Sequence, residues 1–393
     1  MVLNATPLKQ QLAKYLETDA EAIQFCWKGR VGLYGLLKAL GIGPGDEVIL
    51  PAYTCIVVPN AIKYLQATPV YVDIDPRTYN MDTTAIGAKI TANTKVIIAQ
   101  NTYGLSSDID EIRPFAEAHG LKVLEDCTHG FGGYYKQVQN GKNVDAAFYS
   151  SQWNKTFSTG IGGIVVINDP ELREKMQEFE TELQAPSFKD RTLLQFQLYL
   201  RDLLGYSTLY WSALKFYRYL TANNIIVGSS SGEEITGIQM PDGYFTGFSS
   251  TQVKRTTYEL NRLEQNLEHR RQVAQFYDAV LSKLGLVVPF QPDYATHTFV
   301  KYPLLVKDRE AVFAEAFKRN IPIHDWFISP LHPIQEGLER WNFQAADFPV
   351  ASKIAQHVIN LPTDLFVNSS MQRRIEQFII DLKDQFSSFE QLP

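Results

Sequence analysis

Short runs of Val, Ile and aromatic residues recur through the first half of the chain, separated by stretches of mixed polarity long enough for helices. The runs are VILPAY (48–53), PVYVDID (69–75), KVIIAQN (95–101), KVLEDC (122–127), DAAFYSS (145–151) and GIVVIND (163–169). Most are bounded by Gly, Pro, Asp or Asn, as strands are. Helix-length segments lie between the first several, at 29–40, 54–66, 82–91 and 108–119, and Gly41 and Gly120 follow two of them as C-terminal caps. Strands alternating with helices predict βαβ units, an α/β fold and a mainly parallel sheet. Such sheets bind ligands outside the carboxyl ends of their strands. Functional residues are therefore expected just after the apolar runs.

The rhythm breaks over about 180–240. Residues 193–220 are dense in Leu, Tyr, Phe and Trp and read as one or two amphipathic helices for core or dimer packing, followed by a loop at 227–234. Residues 250–283 read as one long helix, because Val253, Leu260, Leu263, Leu267, Ala274, Tyr277 and Leu281 recur at spacings of three, four or seven. It leads into a smaller α+β unit with strand signals at 297–306 and helices at 309–319, 349–358 and 371–385. The expected organisation is a large domain over 1–248, with the aromatic-rich insertion, and a long helix plus small domain over 249–393.

Composition narrows the function. The 393 residues hold 37 Lys+Arg against 43 Asp+Glu, a formal net charge of −6, with 45% hydrophobic and 20% charged residues. A chain this apolar is folded, and its mild acidity excludes a protein that coats nucleic-acid phosphates. Cys26, Cys55 and Cys127 are too few for a disulfide framework, and no Cys/His spacing suggests a metal site. No secretory leader or membrane span is evident, so a cytoplasmic location is expected and the sequons at Asn4, Asn154 and Asn368 read as coincidence.

The richest chemistry sits at the predicted strand ends. Asp126 closes KVLED, and Lys155 follows AAFYSS within SSQWNKTFSTGIGG. Gly29 opens a helix whose N-terminal amides suit phosphate, and Ser150 offers a hydroxyl to the same group. An acid for a pyridine nitrogen, a lysine for a carbonyl carbon and a phosphate cradle are what pyridoxal 5′-phosphate needs. Spacing alone leaves this open, since a strand-end Asp followed by a Lys is more often solvated or capping than catalytic.

Whole segments add to it. ALGIGPGDEVILPAYT (39–54), NAIKYLQATPVYVDIDPRTYNMD (60–82), ITANTKVIIAQNTYGLSSDIDEI (90–112), AEAHGLKVLEDCTHGFGGYYK (116–136) and the Lys155 segment with GGIVVINDPELREKM follow one another in order. They resemble the DegT/StrS family of pyridoxal-phosphate-dependent sugar aminotransferases. The similarity weakens over 180–240, returns in 250–283 and FPVASKIAQHVINLP (348–362), and covers about two thirds of the chain. The resemblance implies the type I pyridoxal-phosphate fold, with a seven-stranded-type sheet between helices. It implies that Lys155 carries the cofactor, Asp126 pairs with its ring nitrogen, and His129 sits beside the ring. Ser150, Gly29, Arg30 and Val31 would hold the phosphate, and Thr102 and Tyr103 would lie where substrate enters. It further implies glutamate as donor, a nucleotide-linked keto-sugar as acceptor, ping-pong kinetics, and a homodimer serving polysaccharide or secondary-metabolite biosynthesis.

Several positions depart from the family. Arg30 stands where Thr is usual. Cys55 stands where an aromatic stacks on the ring, with Tyr53 as a neighbouring substitute. Phe245 of GYFTGF replaces the Asn that the "GYNYR" segment lends to the partner's phosphate. Pro330, Leu331 and His332 keep the "PLH" motif, while Phe327 stands for the preceding family histidine. Lys155 excludes the dehydratase relatives, which carry histidine there. A cyclitol or other small ketone as acceptor, and a non-catalytic binding relative, remain open at this point.

Overall fold

The computed structural model describes residues 5–204, 234–235 and 237–393. All six apolar runs become strands of one sheet, joined by a seventh, Ile23–Cys26, that the pattern did not single out. In chain order these are β1 (Ile23–Cys26), β2 (Glu47–Pro51), β3 (Thr68–Val72), β4 (Thr94–Gln100), β5 (Lys122–Asp126), β6 (Ala146–Ser150) and β7 (Gly163–Ile167). Their order across the sheet is β1-β7-β6-β5-β4-β2-β3. The pairs β2–β3, β2–β4, β4–β5 and β5–β6 are parallel. Strand β7 runs antiparallel between β1 and β6, so the chain between β6 and β7 doubles back in a hairpin.

Both faces of the sheet are covered, which is why the runs are continuously apolar rather than alternating. Leu50, Ile98, Leu124 and Val165 pack with Val31, Leu33 and Leu36 of α2 (Gly29–Ala39) on one face. Their neighbours Ile49, Ile97, Val123 and Ile164 pack on the other, against α1 (Thr6–Leu16) and α4 (Ile109–His119). Helices α3 (Val57–Tyr64) and α5 (Pro170–Glu182) complete the first layer.

Several predicted helices differ in detail. The segment 54–66 starts with a two-residue strand, Thr54–Cys55, and becomes helical only at Val57. Segment 82–91 forms two 3₁₀ turns, not an α-helix. Asp82 caps Thr84, and Thr83, Thr84, Ile86 and Gly87 all disfavour α-helix propagation. The 250–283 helix is two, α7 (Ser250–Leu260) and α8 (Leu263–Lys283), broken where Arg262 leaves helical geometry. There Asn261 accepts a hydrogen bond from Gln11 of α1 at 2.9 Å, and α8 turns away to pack on α11 (Ser369–Asp381). Helix α6 (Phe188–Leu204) holds the described part of the aromatic-rich stretch; residues 205–220 lie outside the described residues.

The C-terminal part has its own core. Strand β8 (Tyr302–Leu305) pairs antiparallel with β9 (Val358–Leu361), and Tyr277, Val312, Ile359 and Phe378 fill the space between them, α8, α9 (Arg309–Lys318) and α11. Helix α10 (Pro349–His357) instead buries Ile354 in the core of the large sheet.

Candidate active site

The sheet topology brings the expected residues to one edge. Asp126 is the last residue of β5 and Ser150 the last of β6, and α2 begins at Gly29 beside them. A Cβ on Gly29 would lie 3.0 Å from the Tyr149 carbonyl oxygen and 3.4 Å from Ser150 Cβ. A Cβ on Gly163 would lie 2.5 Å from the Lys28 carbonyl and 2.6 Å from the Gly29 nitrogen. Both glycines therefore let the amide end of α2 press against the strand ends next to the Ser150 hydroxyl, a cradle suited to phosphate.

Lys155 lies on the β6–β7 hairpin. The loop is tied across its base by Ser151 and Thr159, whose hydroxyls are 2.7 Å apart, and by the Trp153 amide donating to the Gly160 carbonyl. Asn154, just before the lysine, takes φ 68°, a left-handed conformation that Asn tolerates. Burial pushes the Lys155 amine down to about 8; Asp126 and Cys55 pull it up and Arg30 pushes it down further. Asp126 is buried and accepts from the Thr128 amide at 2.9 Å. Burial raises its carboxyl, and Thr128 and Lys155 oppose the rise. Among the described residues the two form no direct ion pair; they are coupled at longer range.

His129 is held in a defined state. Its Nδ1 accepts from the Tyr103 amide at 3.2 Å, which places the ring proton on Nε2. Burial, then Lys155, Lys301 and His332, hold its pKa well below the ordinary value, so the ring is neutral. Trp326, from the C-terminal part, stacks on it at 5.0 Å with an interplanar angle of 9°. The Lys155 amine lies 4.8 Å from the centroid of that indole.

The remaining expected residues divide. Cys55 and His332 are register partners of a two-residue parallel ladder at the site's edge. Burial, and secondarily Lys155, push His332 down to about 4, against Asp325. Tyr53 and Tyr103 do not line an opening: both are fully buried with hydroxyls 2.7 Å apart, and Tyr103 donates to the Trp326 carbonyl at 2.6 Å. Tyr103, expected where substrate enters, ties the large sheet to the C-terminal part through its hydroxyl. Thr102 is likewise buried, accepting from Gln100. Tyr53 faces Phe327 at 5.2 Å, so it is committed to the same seam. Phe245 sits in an aromatic cluster with Tyr34, Phe179 and Tyr244.

Three residues of the site were not anticipated. Glu234, with a side chain 1% exposed, pairs with Arg30 at 2.6 Å and with Lys28 at 3.2 Å. Its place at the end of the Ser/Gly-rich sequence VGSSSGEE carried no signal, and the loop expected over 227–234 lies, up to residue 233, outside the described residues. Trp326 and Lys301 come from the C-terminal part. Lys301 had a readable signal, a lysine inside the apolar run HTFVKYPLLV.

The donor set fits pyridoxal phosphate: a buried carboxylate for a cationic ring nitrogen, an amine of depressed pKa, and an amide cradle beside a hydroxyl and an arginine. Among the described residues no group of three His, Cys, Asp or Glu could hold a metal ion, and no helix is long and apolar enough to cross a membrane.

Comparison with known proteins agrees with this geometry. The model of the DegT/DnrJ/EryC1/StrS aminotransferase family matches residues 4–207 and 249–379. The spore coat polysaccharide biosynthesis protein SpsC of Bacillus subtilis is 30% identical over 351 residues, 87% of this chain and 80% of that protein. The UDP-2-acetamido-2-deoxy-3-oxo-D-glucuronate aminotransferase of Pseudomonas aeruginosa is 28% identical, over 93% of this chain and 87% of its own. A DegT DnrJ EryC1 StrS aminotransferase from Brucella abortus has the same fold, with a TM-score of 0.75 at 22% identity over 97% of this chain and 91% of that one. The chain belongs to the DegT/DnrJ/EryC1/StrS aminotransferase family and is a pyridoxal-phosphate-dependent aminotransferase.

Proposed function

We propose that this enzyme moves an amino group from glutamate to the carbonyl carbon of a nucleotide-linked keto-sugar in two half-reactions, as a homodimer in the cytoplasm. The observation that carries the reading is that buried Asp126 and the Lys155 amine of lowered pKa act on one another at one sheet edge. Pyridoxal phosphate, when bound, supplies an electrophilic carbon and an electron-withdrawing ring. Lys155 holds it between turnovers and, once released, moves a proton to and from the α-carbon of the amino donor, which needs a neutral amine near pH 8. Asp126 keeps the ring nitrogen protonated, and neutral His129 donates from Nε2 without adding charge. The amides of Gly29 and Arg30, the Ser150 hydroxyl and the Arg30 charge would hold the phosphate, while the Val31 amide, expected to join them, donates to the Lys28 carbonyl at 3.1 Å. Cys55 and His332 border the cofactor and substrate.

Support for the acceptor comes from the Pseudomonas aeruginosa relative, whose name is that of an aminotransferase acting on a UDP-linked 3-oxo sugar. Support for the compartment comes from three free cysteines, two of them buried. The test is the visible absorbance band of the protein with pyridoxal phosphate, before and after glutamate and then a UDP-linked keto-sugar. The band should bleach with glutamate and return with the sugar, and Lys155→Ala should show neither change. A band that glutamate leaves untouched refutes the donor. A band restored only by a cyclitol ketone refutes the acceptor.

A further inference from the structure

Lys301 takes no part in the roles above, yet it reaches the same place. It precedes β8, is 2% exposed, and its amine lies 4.9 Å from the centroid of the Trp326 indole. The Lys155 amine approaches that ring equally closely, from the large sheet. One indole thus gathers two ammonium groups from opposite sides of the seam, with His129 stacked against it.

The surroundings of Lys301 do not neutralise it. Among the described residues its amine makes no hydrogen bond and no ion pair. Asp364 and Asp325 act on it at longer range, and Arg270 and Lys155 oppose them. Asp364, the strongest of these, makes no direct contact with the amine, and its Oδ1 has no hydrogen-bond partner. Arg270, also buried, spends its bonds on the Val300 carbonyl and the Thr363 hydroxyl. A buried amine without an acceptor is costly, and such groups are kept where a ligand completes them. Lys301 and Lys155 share the Trp326 indole, so the two amines lie in the same part of the seam.

We propose that Lys301 is a specificity-determining residue that binds a carboxylate of the substrate held at Lys155. The inference rests on the aminotransferase reading in one respect only, that substrates react at Lys155. Two sources carry this chemistry: the amino-acid donor, whose α-carboxylate is one bond from the reacting carbon, and a sugar acid on the acceptor side.

The experiment is calorimetric binding to the pyridoxal-phosphate-loaded enzyme, using wild type, Lys301→Met and Lys301→Arg. The probes are glutarate, UDP-glucuronate and, as the neutral-sugar control, UDP-glucose. A charge-assisted contact predicts that Lys301→Met weakens a carboxylate probe by about tenfold to a hundredfold, with most of it recovered in Lys301→Arg. Loss confined to glutarate identifies the donor. Loss for UDP-glucuronate but not UDP-glucose identifies a sugar acid. Burial lowers the Lys301 pKa to about 7, with Asp364 and Asp325 opposing it and Arg270 and Lys155 adding to it. From pH 6.5 to 8.5 wild-type binding should therefore weaken more than that of the Met variant, in which Lys28 and Lys155, both at about 8, still titrate. His129 and His332, both held below this range, stay neutral across it. Melting of each variant with bound cofactor checks that it is folded, since Lys301→Met also takes from buried Asp364 a cation that acts on it.

Carboxylate binding within about twofold of wild type in Lys301→Met overturns the proposal, as does wild type that binds neither carboxylate probe. A visible band indifferent to glutamate, with Lys301-dependent carboxylate binding intact, would sink the glutamate reading and leave this one standing.

Discussion

Glu234→Gln tests the electrostatics of the cradle directly. The Arg30–Glu234 pair is 2.6 Å long, between side chains 6% and 1% exposed. At that distance and an effective dielectric of about 20, the attraction is about 6 kcal/mol. Desolvation of both groups offsets part of it. Removing one partner of such a buried pair costs about 3–5 kcal/mol, chiefly from the charge left behind. Glutamine keeps the shape and one acceptor oxygen, so the lower end, about 3 kcal/mol, is expected for the cofactor-free protein. Lys28 adds to the loss, because burial and Arg30 already push its pKa down to about 8 and Glu234 opposes them. If the phosphate of the cofactor binds at Arg30, it supplies the missing negative charge. The penalty should then shrink to about 1 kcal/mol or less at saturating pyridoxal phosphate, and inorganic phosphate should recover part of it. Urea denaturation followed by tryptophan fluorescence, with and without each anion, reads the difference. An equal loss in all three conditions would show that Arg30 does not face the phosphate. A loss below about 1 kcal/mol without any anion would show that the pair is not the charge balance of this site.

Two further outcomes follow from the same geometry. The rate at which cofactor-free protein captures pyridoxal phosphate should rise with pH through about 8 and then level off, because only the neutral Lys155 amine attacks; stopped-flow absorbance checks it, and an inflection near the ordinary lysine value would contradict the burial argument. Gly163→Ala should cost about 1–3 kcal/mol and weaken cofactor binding at least about tenfold, since its Cβ would meet the Lys28 and Gly29 backbone, whereas Gly43→Ala, in open space, should change neither in melting and cofactor-titration experiments.

What the sequence discloses, and what it withholds, follows from how far each contact reaches along the chain. The six strands were legible because each is a local apolar run, and Asp126, Ser150 and Lys155 because one rule places chemistry at the carboxyl ends of parallel strands. The reversal of β7 was not legible, since GIVVIND reads the same in either direction and only its pairing with β6 and β1 decides. Segment 82–91 misled because its length fits a helix while its β-branched residues and Asp82 cap favour turns. The hydroxyl bond of Tyr103 across the seam was not legible either, since position in a motif says nothing of where a hydroxyl points.

Two of the residues missed, Glu234 and Lys301, belong to a network of buried charge that no motif marks. Among the described residues Glu234 pairs with Lys28 and Arg30, Asp126 acts on Lys155, and Asp364 and Asp325 act on Lys301. Buried charge without a direct partner is expensive. Burial accordingly lowers the pKa of all three lysines, toward about 8 for Lys28 and Lys155 and about 7 for Lys301. On the proposed reading, the cradle at Gly29 and Arg30 would direct one anion to the large sheet, while Lys301 would draw a second across the seam from the C-terminal part. Substrate specificity would then depend on how the C-terminal part meets the sheet, because only that seam brings Trp326 and Lys301 to the Lys155 amine.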